Sequence, residues 1–485
     1  MRLCESQRVS FNMKDIILTT INAKWIHPSL ALRLLKANLG ALEERCEIIE
    51  FALRQPLGEK VWALLDAFPP DGRKRVLGVS VSIWNHARTI ELLKELFNKW
   101  QEKPVIVLGG PEVSHLSRDA EIFDYADYVI RGEGETAFRE LCETIFSGGD
   151  RAGDESGEPA KYFEPRRIVP HDEHNEIKSA YHLYTDKDIN NKLIYVESSR
   201  GCPFACDFCL SAADKNTREF PLDQFLAEMD ILIRRGVKTF KFLDRSINTN
   251  IPRVIHIIDF FLDKLKNGGK FVAHFEMAPS LFPPELRERL ALFPPETLRL
   301  EIGIQTLNSR VSARINRFYN PEKELDALRF LSENTNAIIH ADLIAGLPGE
   351  DIASFGEGFD KLWLAFSNRG RLPEIQPGIL KSLPGTPISR HNEEFGMRYS
   401  DEPPYDIIET SVISADDIRR IKNFARFWEL LVNRYKIEIP SGEPVFNKFL
   451  KLSDTLFAHF DRNWGIVKME LLNKVKEINI FNSMD

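Results

Sequence analysis

The 485-residue sequence is 43% hydrophobic and 28% charged, an ordinary balance for a soluble chain long enough for two to four domains. Its formal net charge of −8 argues against a general nucleic-acid binder. No apolar run reaches the ~18 residues of a membrane span, and the polar start MRLCESQRVSFN lacks the apolar stretch of a signal peptide. The expectation is a cytoplasmic protein without a membrane or nucleic-acid partner, with residues 1–13 as a possible extension. Cys4, Cys46 and Cys142 are isolated and read as buried or incidental thiols of a reducing compartment.

From Lys14 the pattern alternates. Strands are predicted at Asp15–Thr20, Glu47–Phe51, Val76–Ile83, Pro104–Leu108 and Tyr128–Ile130, and helices at Leu30–Leu39, Thr89–Trp100 and Ala137–Phe146. Such alternation predicts a parallel, doubly wound α/β sheet, whose ligands sit beyond the carboxyl ends of the strands. The loops Gly109-Gly110-Pro111-Glu112 and Gly132-Glu133-Gly134-Glu135 fall at that edge. Paired glycines admit a ligand close to the backbone, although GGPE alone equally fits a tight strand-to-helix turn.

The longer string SVSIWN…VLGGPEVS…ADYVIRGEGETAF resembles the cobalamin (vitamin B12)-binding domain found ahead of radical S-adenosylmethionine (radical SAM) cores, over residues 14–146. The resemblance implies a Rossmann-like domain in which Ser80, Ser82, Trp84, Asn85, Gly109, Gly110, Pro111, Glu112, Gly132, Glu133, Gly134 and Glu135 surround the corrin and its nucleotide tail. Methionine-synthase-like domains carry Asp-x-His-x-x-Gly after the first strand, and that His ligates cobalt. Here the loop reads Asn22-Ala23-Lys24-Trp25, and Asp172-Glu173-His174 lacks the Gly, so the resemblance implies cobalt without a protein His ligand. His27 is the substitute to weigh against its plainer reading as a loop His beside Pro28. Trp84 reads either as a residue near the lower corrin face or as a core aromatic.

Ser147–Lys192 reads as a linker, because SGGDRAGDESGEP has almost no apolar content. His171, His174, His182 and, further on, His256 share no metal-ligand spacing and read as surface or packing residues.

A predicted strand, Leu193–Ser199, leads into RGCPFACDFCL, where Cys202, Cys206 and Cys209 form Cys-x3-Cys-x2-Cys. Three thiolates this close cannot all pair as disulfides, and a soft metal centre is the natural reading. A structural zinc wants a fourth ligand that is not nearby, and a 4Fe-4S cluster held by three Cys leaves one iron open. A zinc knuckle and a chance spacing remain the alternatives. With Phe208 before the last Cys, the array resembles the radical SAM signature. That resemblance implies a 4Fe-4S cluster on Cys202, Cys206 and Cys209, with S-adenosylmethionine chelated at the open iron.

Further strands are predicted at Lys238–Asp244, Phe271–Glu276, Leu298–Ile304, Ala337–Ile344 and Ile375–Lys381, with helices between them such as Leu222–Arg235 and Ile251–Lys266. Six βα units match a partial (β/α)6 radical SAM core over 193–387, whose function sits at the carboxyl ends of its strands. Asp244, Glu276, Gln305 and Asp342 recur there. Buried strands do not carry such groups without partners, although any single one also fits a rim salt bridge. GIQTLN with Asn316-Arg317, and DLIAGLPGE, resemble the oxygen-independent coproporphyrinogen oxidase branch. By that resemblance Phe208, Asp244, Glu276, Gln305, Arg317 and Asp342 form the S-adenosylmethionine site. Glu276 would take the methionyl ammonium or ribose and Arg317 the carboxylate, whereas Asp244 stands where that branch usually has Gly. Lys381-x-x-Pro384-Gly385-Thr386-Pro387 matches a motif ending cobalamin-type cores.

Residues 388–485 read as a mostly helical C-terminal domain, with a capping-box-like start at Ser414-Ala-Asp-Asp417, helices over Ile418–Tyr435, Phe446–Phe460 and Val467–Ile478, and an aromatic stripe read as core. It resembles an uncharacterised domain attached to one cobalamin radical SAM subgroup. Together the resemblances imply an enzyme that forms a 5′-deoxyadenosyl radical and methylates an unactivated carbon of a small molecule, served by an electron donor such as flavodoxin or ferredoxin. Radical rearrangement, cyclisation or ring contraction without methyl transfer is the second reading. A non-catalytic cobalamin-responsive binding protein is the third.

Overall fold

The structure is a computed structural model that describes residues 14–148, 177–317, 320–366, 374–440 and 443–478. The possible N-terminal extension, His171, His174 and nearly all of SGGDRAGDESGEP lie outside the described residues. The chain divides into two compact units, the first running to Val196 with a short return at Arg234–Val237, the second comprising Glu197–Ile233 and Lys238 onward.

The first unit is built on a parallel five-stranded sheet of order β2-β1-β3-β4-β5, with β1 Ile16–Asn22, β2 Cys46–Ala52, β3 Val76–Ser80, β4 Val105–Gly109 and β5 Tyr128–Val129. Its strands are apolar because both faces are covered. Ile17, Ile21 and Val79 pack with residues of α2 (Leu57–Ala67) and α3 (His86–Lys99), and Ile16, Leu18, Val76 and Val107 with residues of α1 (Leu30–Ala37) and α4 (Glu135–Phe146). Ser29 starts α1 by accepting the Leu32 N–H at 3.3 Å. The predicted third strand stops at Ser80 instead of Ile83, because the Asn85 side chain accepts the Ser82 N–H at 2.8 Å and turns the chain toward α3. Strand order reverses between β1 and β3, and a crevice at such a point is where open sheets bind ligands. The end of the predicted linker is structured: α5 (Asp186–Asn191) opens on a Thr185–Asp188 capping box, and buried Asp188 meets Arg33 at 3.0 Å and Lys192 at 2.8 Å.

The first unit ends on β6 (Ile194–Val196), and the second carries strands in the order β13-β12-β11-β10-β9. Within the second unit a two-residue ladder, β7 Ser199–Arg200 with β8 Arg218–Glu219, brackets the cysteine loop. Its sheet strands are β9 Thr239–Phe242, β10 Val272–Met277, β11 Leu298–Gln305, β12 Ile338–Ala345 and β13 Glu374–Ile379, all parallel. The helices between them are α6 Leu222–Arg234, α7 Ile251–Lys266, α8 Pro284–Leu290, α9 Ser309–Arg314, α10 Pro321–Asn334 and α11 Ile352–Phe366. The expected α/β architecture with six βα strands is thus present. Strand side chains alternate in role. Phe240, Phe242 and Phe275 pack on Phe261 of α7, while Lys241, His274, Glu276, Glu301, His340 and Asp342 occupy the alternate positions.

The C-terminal helices α12 (Ala415–Trp428), α13 (Phe446–Phe460) and α14 (Lys468–Ile478) belong to the same unit as these strands. Ser414 caps α12 by accepting the Asp417 N–H at 3.2 Å. The aromatic stripe is core: Trp428 meets Phe359 of α11 at 4.7 Å and Trp363 at 5.6 Å between ring centroids, and Phe424 meets Phe446 at 5.0 Å. The predicted single helix to Tyr435 instead widens into a π-helical turn over Glu429–Arg434, where the Tyr435 N–H reaches back to the Leu430 carbonyl at 3.0 Å. A short antiparallel pair, β14 Arg398–Tyr399 with β15 Ile407–Glu409, interrupts the otherwise helical segment.

Candidate functional site

Two sets of predicted residues lie at strand ends, one in each unit. In the first unit the carboxyl edge is shaped by backbone. Gly110 has φ +106°, and a Cβ there would stand 2.5 Å from the Val81 carbonyl oxygen and 2.9 Å from its nitrogen, so a side chain is excluded on two counts. Gly132 has φ +78° with open space where a Cβ would be, and its N–H donates to Ser114 Oγ at 3.1 Å. Trp84 and Pro111 are exposed beside these loops, and the Trp84 Nε1–H donates to the Ile21 carbonyl at 3.3 Å. Trp84 is thus not a core aromatic: it is 51% exposed.

The other predicted corrin contacts face inward. Asn85 is fully buried, and its amide donates to the Ile21 carbonyl at 3.0 Å and to Thr20 Oγ1 at 3.2 Å, bracing β1 against β3. Ser82, Glu112 and Glu135 are buried as well. Glu112 is held by His86 Nδ1 at 2.7 Å. Ser80, Gly109, Glu133 and Gly134 are half-buried at the edge. The set therefore separates into an exposed rim and a brace beneath it. His27 has its own partner: its Nδ1 lies 2.7 Å from the Tyr195 hydroxyl. Glycine backbone without side chains beside an exposed aromatic gives a large planar group close access to this edge.

In the second unit Cys202 and Cys206 are buried and Cys209 is half-buried. Burial pushes the Cys202 thiol up to about 11, and the neighbouring Cys209 and Cys206 add to the shift. Burial also raises Cys206, against the opposing pull of Arg317. Thiols that disfavour one another's ionisation want a cation to stabilise their thiolates. Among the described residues no three His, Cys, Asp or Glu side chains gather as around a single metal ion. Gly201, just before the array, has φ +85°, and a Cβ there would meet the Asn216 carbonyl oxygen at 2.2 Å.

The strand ends then divide. Burial raises Glu276 to about 7, with Glu301 adding and Arg245 opposing, and burial raises Asp342 to about 7, with Glu301 and Glu276 adding. Neither carboxyl hydrogen-bonds to a described residue. Gln305 ends β11 at φ +67°, beside a bulge in the pairing with β12, and its amide nitrogen lies 2.4 Å from where a Gly303 Cβ would be, so Gly303 makes room for it. Phe208 is half-buried in the cysteine loop.

Two predicted ligand contacts have other work. Asp244 is 1% exposed and accepts from the Ser198 N–H at 2.9 Å, Ser198 Oγ at 2.6 Å and Ser199 Oγ at 2.7 Å, tying the chain that enters the cysteine loop. Arg317 is buried, donates to the Gly303 carbonyl, and lies 3.3 Å from Glu324, whose carboxyl burial raises to about 7.

Sequence reasoning missed a polar layer beneath these groups. Lys241 pairs with Glu301 at 2.9 Å, and His274 approaches Glu301 at 3.4 Å, so that despite burial its carboxyl is held down at about 2. His340 stacks on His274 at 5.9 Å and meets Gln376 at 2.6 Å. The signal was present as polar residues two apart on β10, β12 and β13: His274 and Glu276, His340 and Asp342, Glu374 and Gln376.

Comparison with known families matches residues 16–142 to the B12 binding domain, 196–362 to the radical SAM superfamily and 393–459 to a protein family of unknown function, DUF4080. Similar curated proteins include an uncharacterised methyltransferase of Pyrococcus horikoshii, 26% identical over 318 residues, covering 62% of this chain and 66% of that one. The 2-(S-pantetheinyl)-carbapenam-3-carboxylate methyltransferase of Streptantibioticus cattleyicolor is 26% identical, with 70% and 54% covered. The cobalamin-dependent radical SAM methyltransferase TokK of Streptomyces tokunonensis is 25% identical, with 67% and 49% covered. The chain thus spans between about half and two thirds of these relatives' lengths. Among solved structures, the radical SAM methyltransferase TsrM of Kitasatospora setae, with cobalamin and a [4Fe-4S] cluster bound, shares the fold at TM-score 0.62 and 17% identity, covering 96% of this chain and 100% of that one. The cobalamin-dependent radical enzyme OxsB, with aqua-cobalamin and S-adenosylmethionine bound, does so at 0.55 and 16%, with 96% and 70% covered. The radical SAM domain implies a 4Fe-4S cluster and S-adenosylmethionine, and the B12-binding domain implies cobalamin.

Proposed function

We propose that this chain, which carries a B12-binding domain and a radical SAM domain, is a cobalamin-dependent methyltransferase acting on an unactivated carbon of a small molecule. The observation that carries the reading is the pair of half-buried carboxyls, Glu276 on β10 and Asp342 on β12, which flank β11 and hydrogen-bond to no described residue, in the unit that holds the three cysteines. The bound cofactors supply a carbon-centred radical from S-adenosylmethionine and a transferable methyl group from cobalamin.

The chain's own residues bind and orient. Cys202, Cys206 and Cys209 hold the cluster, and Phe208 covers the loop. Glu276 takes the methionyl ammonium, and Asp342 and Gln305 take polar groups of the nucleoside. Arg317 acts beside Cys206 and gives up its Glu324 pairing if it is to fork the methionyl carboxylate. Asp244 fixes the entry to the cysteine loop. In the first unit Gly109, Gly110, Pro111, Gly132, Glu133 and Trp84 contact the corrin. Ser80, Ser82, Asn85, Glu112, Gly134 and Glu135 support that surface.

The test is anaerobic reconstitution of the wild type and of the variant with Cys202→Ala, Cys206→Ala and Cys209→Ala. Wild type should take up four irons and cleave S-adenosylmethionine, and the variant should do neither; uptake and cleavage by the variant would refute the reading. Release of S-adenosylhomocysteine together with 5′-deoxyadenosine separates methyl transfer from rearrangement, which yields no S-adenosylhomocysteine.

A further inference from the structure

The cysteine loop is fixed at its start by backbone. The Cys202 N–H donates to the Asp214 carbonyl at 3.0 Å, and Arg218 anchors the Asp214 carboxylate at 2.7 Å. Its middle is held differently. Asp207, between Cys206 and Cys209, has no exposed surface, and its N–H donates to the Ile315 carbonyl at 3.1 Å. Its carboxylate meets three side chains from distant parts of the chain. Asn316 Nδ2 donates to Oδ1 at 2.9 Å, and His391 Nε2 and Arg390 Nη2 each approach Oδ2 at 2.7 Å. His391 is buried and Arg390 is 48% exposed.

The same contacts extend outward. Arg390 also reaches the Arg314 carbonyl at 3.4 Å, and Arg314 donates to the Pro348 carbonyl at 2.6 Å and lies over the Phe395 ring at 4.4 Å. Residues 387–395, past the last strand of the sheet, therefore close on the cysteine loop through one buried anion. A buried carboxylate is costly unless paired and hydrogen-bonded. This one is paired twice, at the point in the loop flanked by two of the three thiols. A buried charge there also acts on any cluster the thiols hold, because cluster potential responds to nearby net charge and hydrogen bonding.

We propose that Asp207 is a positioning residue: its pairing with Arg390 and His391 makes the segment after the barrel part of the cluster site, holding the Cys206–Cys209 turn and balancing the charge beside the cluster. The inference rests on the cluster reading above. It is tested on the full chain, reconstituted anaerobically, by the midpoint potential of the cluster from an EPR-monitored redox titration. The variants are Asp207→Asn, Arg390→Gln and the two combined. Asp207→Asn removes the anion and leaves the cation, so the potential should rise. Arg390→Gln leaves the anion undercompensated, so it should fall, and the double variant should lie between. Loosening of the loop alone would not give opposite signs. Potentials all equal to wild type, or single variants moving the same way, would overturn the proposal. If Asp207→Asn takes up no iron, Arg390→Gln decides alone, because its half-exposed side chain can be shortened without disturbing the core: a lower potential supports the proposal and an unchanged one overturns it. A wild-type chain that loads no cluster would sink the radical SAM reading instead, whereas one that loads and cleaves S-adenosylmethionine while the variants' potentials stay put would sink this inference alone.

Discussion

At the carboxyl edge of the first sheet buried polar side chains have hydrogen-bond partners, whereas on the strands of the second two carboxyls have none among the described residues. Asn85 bonds to Ile21 and Thr20, and Glu112 bonds to His86, so what faces outward is glycine backbone and Trp84. Glu276 and Asp342 are half-buried, raised to about 7 and hydrogen-bonded to no described residue. The first site offers shape to a large rigid ligand. The second offers unspent charge to a small cationic one. A cofactor kept for many turnovers suits a surface that costs nothing when empty. A consumed cosubstrate suits groups whose burial is relieved only on binding.

Four measurements can break or sharpen that contrast. The largest effect is expected at Gly110. Gly110→Val forces a Cβ against the Val81 backbone at a positive φ, and cobalamin retention after gel filtration should be lost while iron loading of the cysteine array is kept. Retained cobalamin would mean that the first site is not shaped by that turn.

Next is Glu276. A carboxyl whose folded value is about 7 against an ordinary 4.5 remains protonated in the folded chain where it is ionised in the unfolded one. The cofactor-free chain should therefore lose stability as pH rises from about 4.5 to 7, by roughly 3 kcal/mol for this group, and regain none of it above. Glu276→Gln should melt higher than wild type at pH 8 and bind S-adenosylmethionine about tenfold more weakly, about 1.4 kcal/mol. Binding to wild type should tighten with pH through 7. A variant that melts lower at pH 8 would place Glu276 in a structural network.

Asn85→Ala follows. It strands the Ser82 N–H, leaves the Ile21 carbonyl with the longer Trp84 bond, and should cost about 2 kcal/mol of stability in chemical denaturation. A cost near zero would remove the brace from the comparison. The smallest effect on stability is expected at Trp84, which is 51% exposed. Trp84→Ala should change stability by under about 0.5 kcal/mol yet weaken cobalamin binding several-fold. The reverse pattern would make it a packing residue.

Both sheets were legible as alternating apolar runs, and both sets of strand ends followed from parallel topology. What escaped had no local period. Asp207 and His391 lie 184 positions apart, and nothing in either neighbourhood announces their contact. Nor were the partners of Asp244 and Arg317 legible: the first accepts from Ser198 and Ser199, and the second lies beside Glu324. The helix α2 went unread although Val61 and Leu64 carry its buried face, and the predicted third strand ran three residues long because the Asn85 bond to Ser82 is invisible to hydropathy.

The widened turn at Glu429–Arg434 places Asn433 where its amide donates to the Ile375 carbonyl of β13 at 3.1 Å and to Glu429 at 3.0 Å. A π-helical turn holds one residue more than an α-helical one over the same span. The segment therefore reads as a helix with a single insertion that the strand beside it has taken up as a contact. Shortening it by one residue would restore an unbroken α-helix and its ladder of i to i−4 bonds. It would also rotate everything beyond by about 100°, carrying Asn433 off the β13 carbonyl. The length of this stretch is thus set by the rotational phase of its neighbours, and a homologue lacking that one residue should lack the asparagine as well.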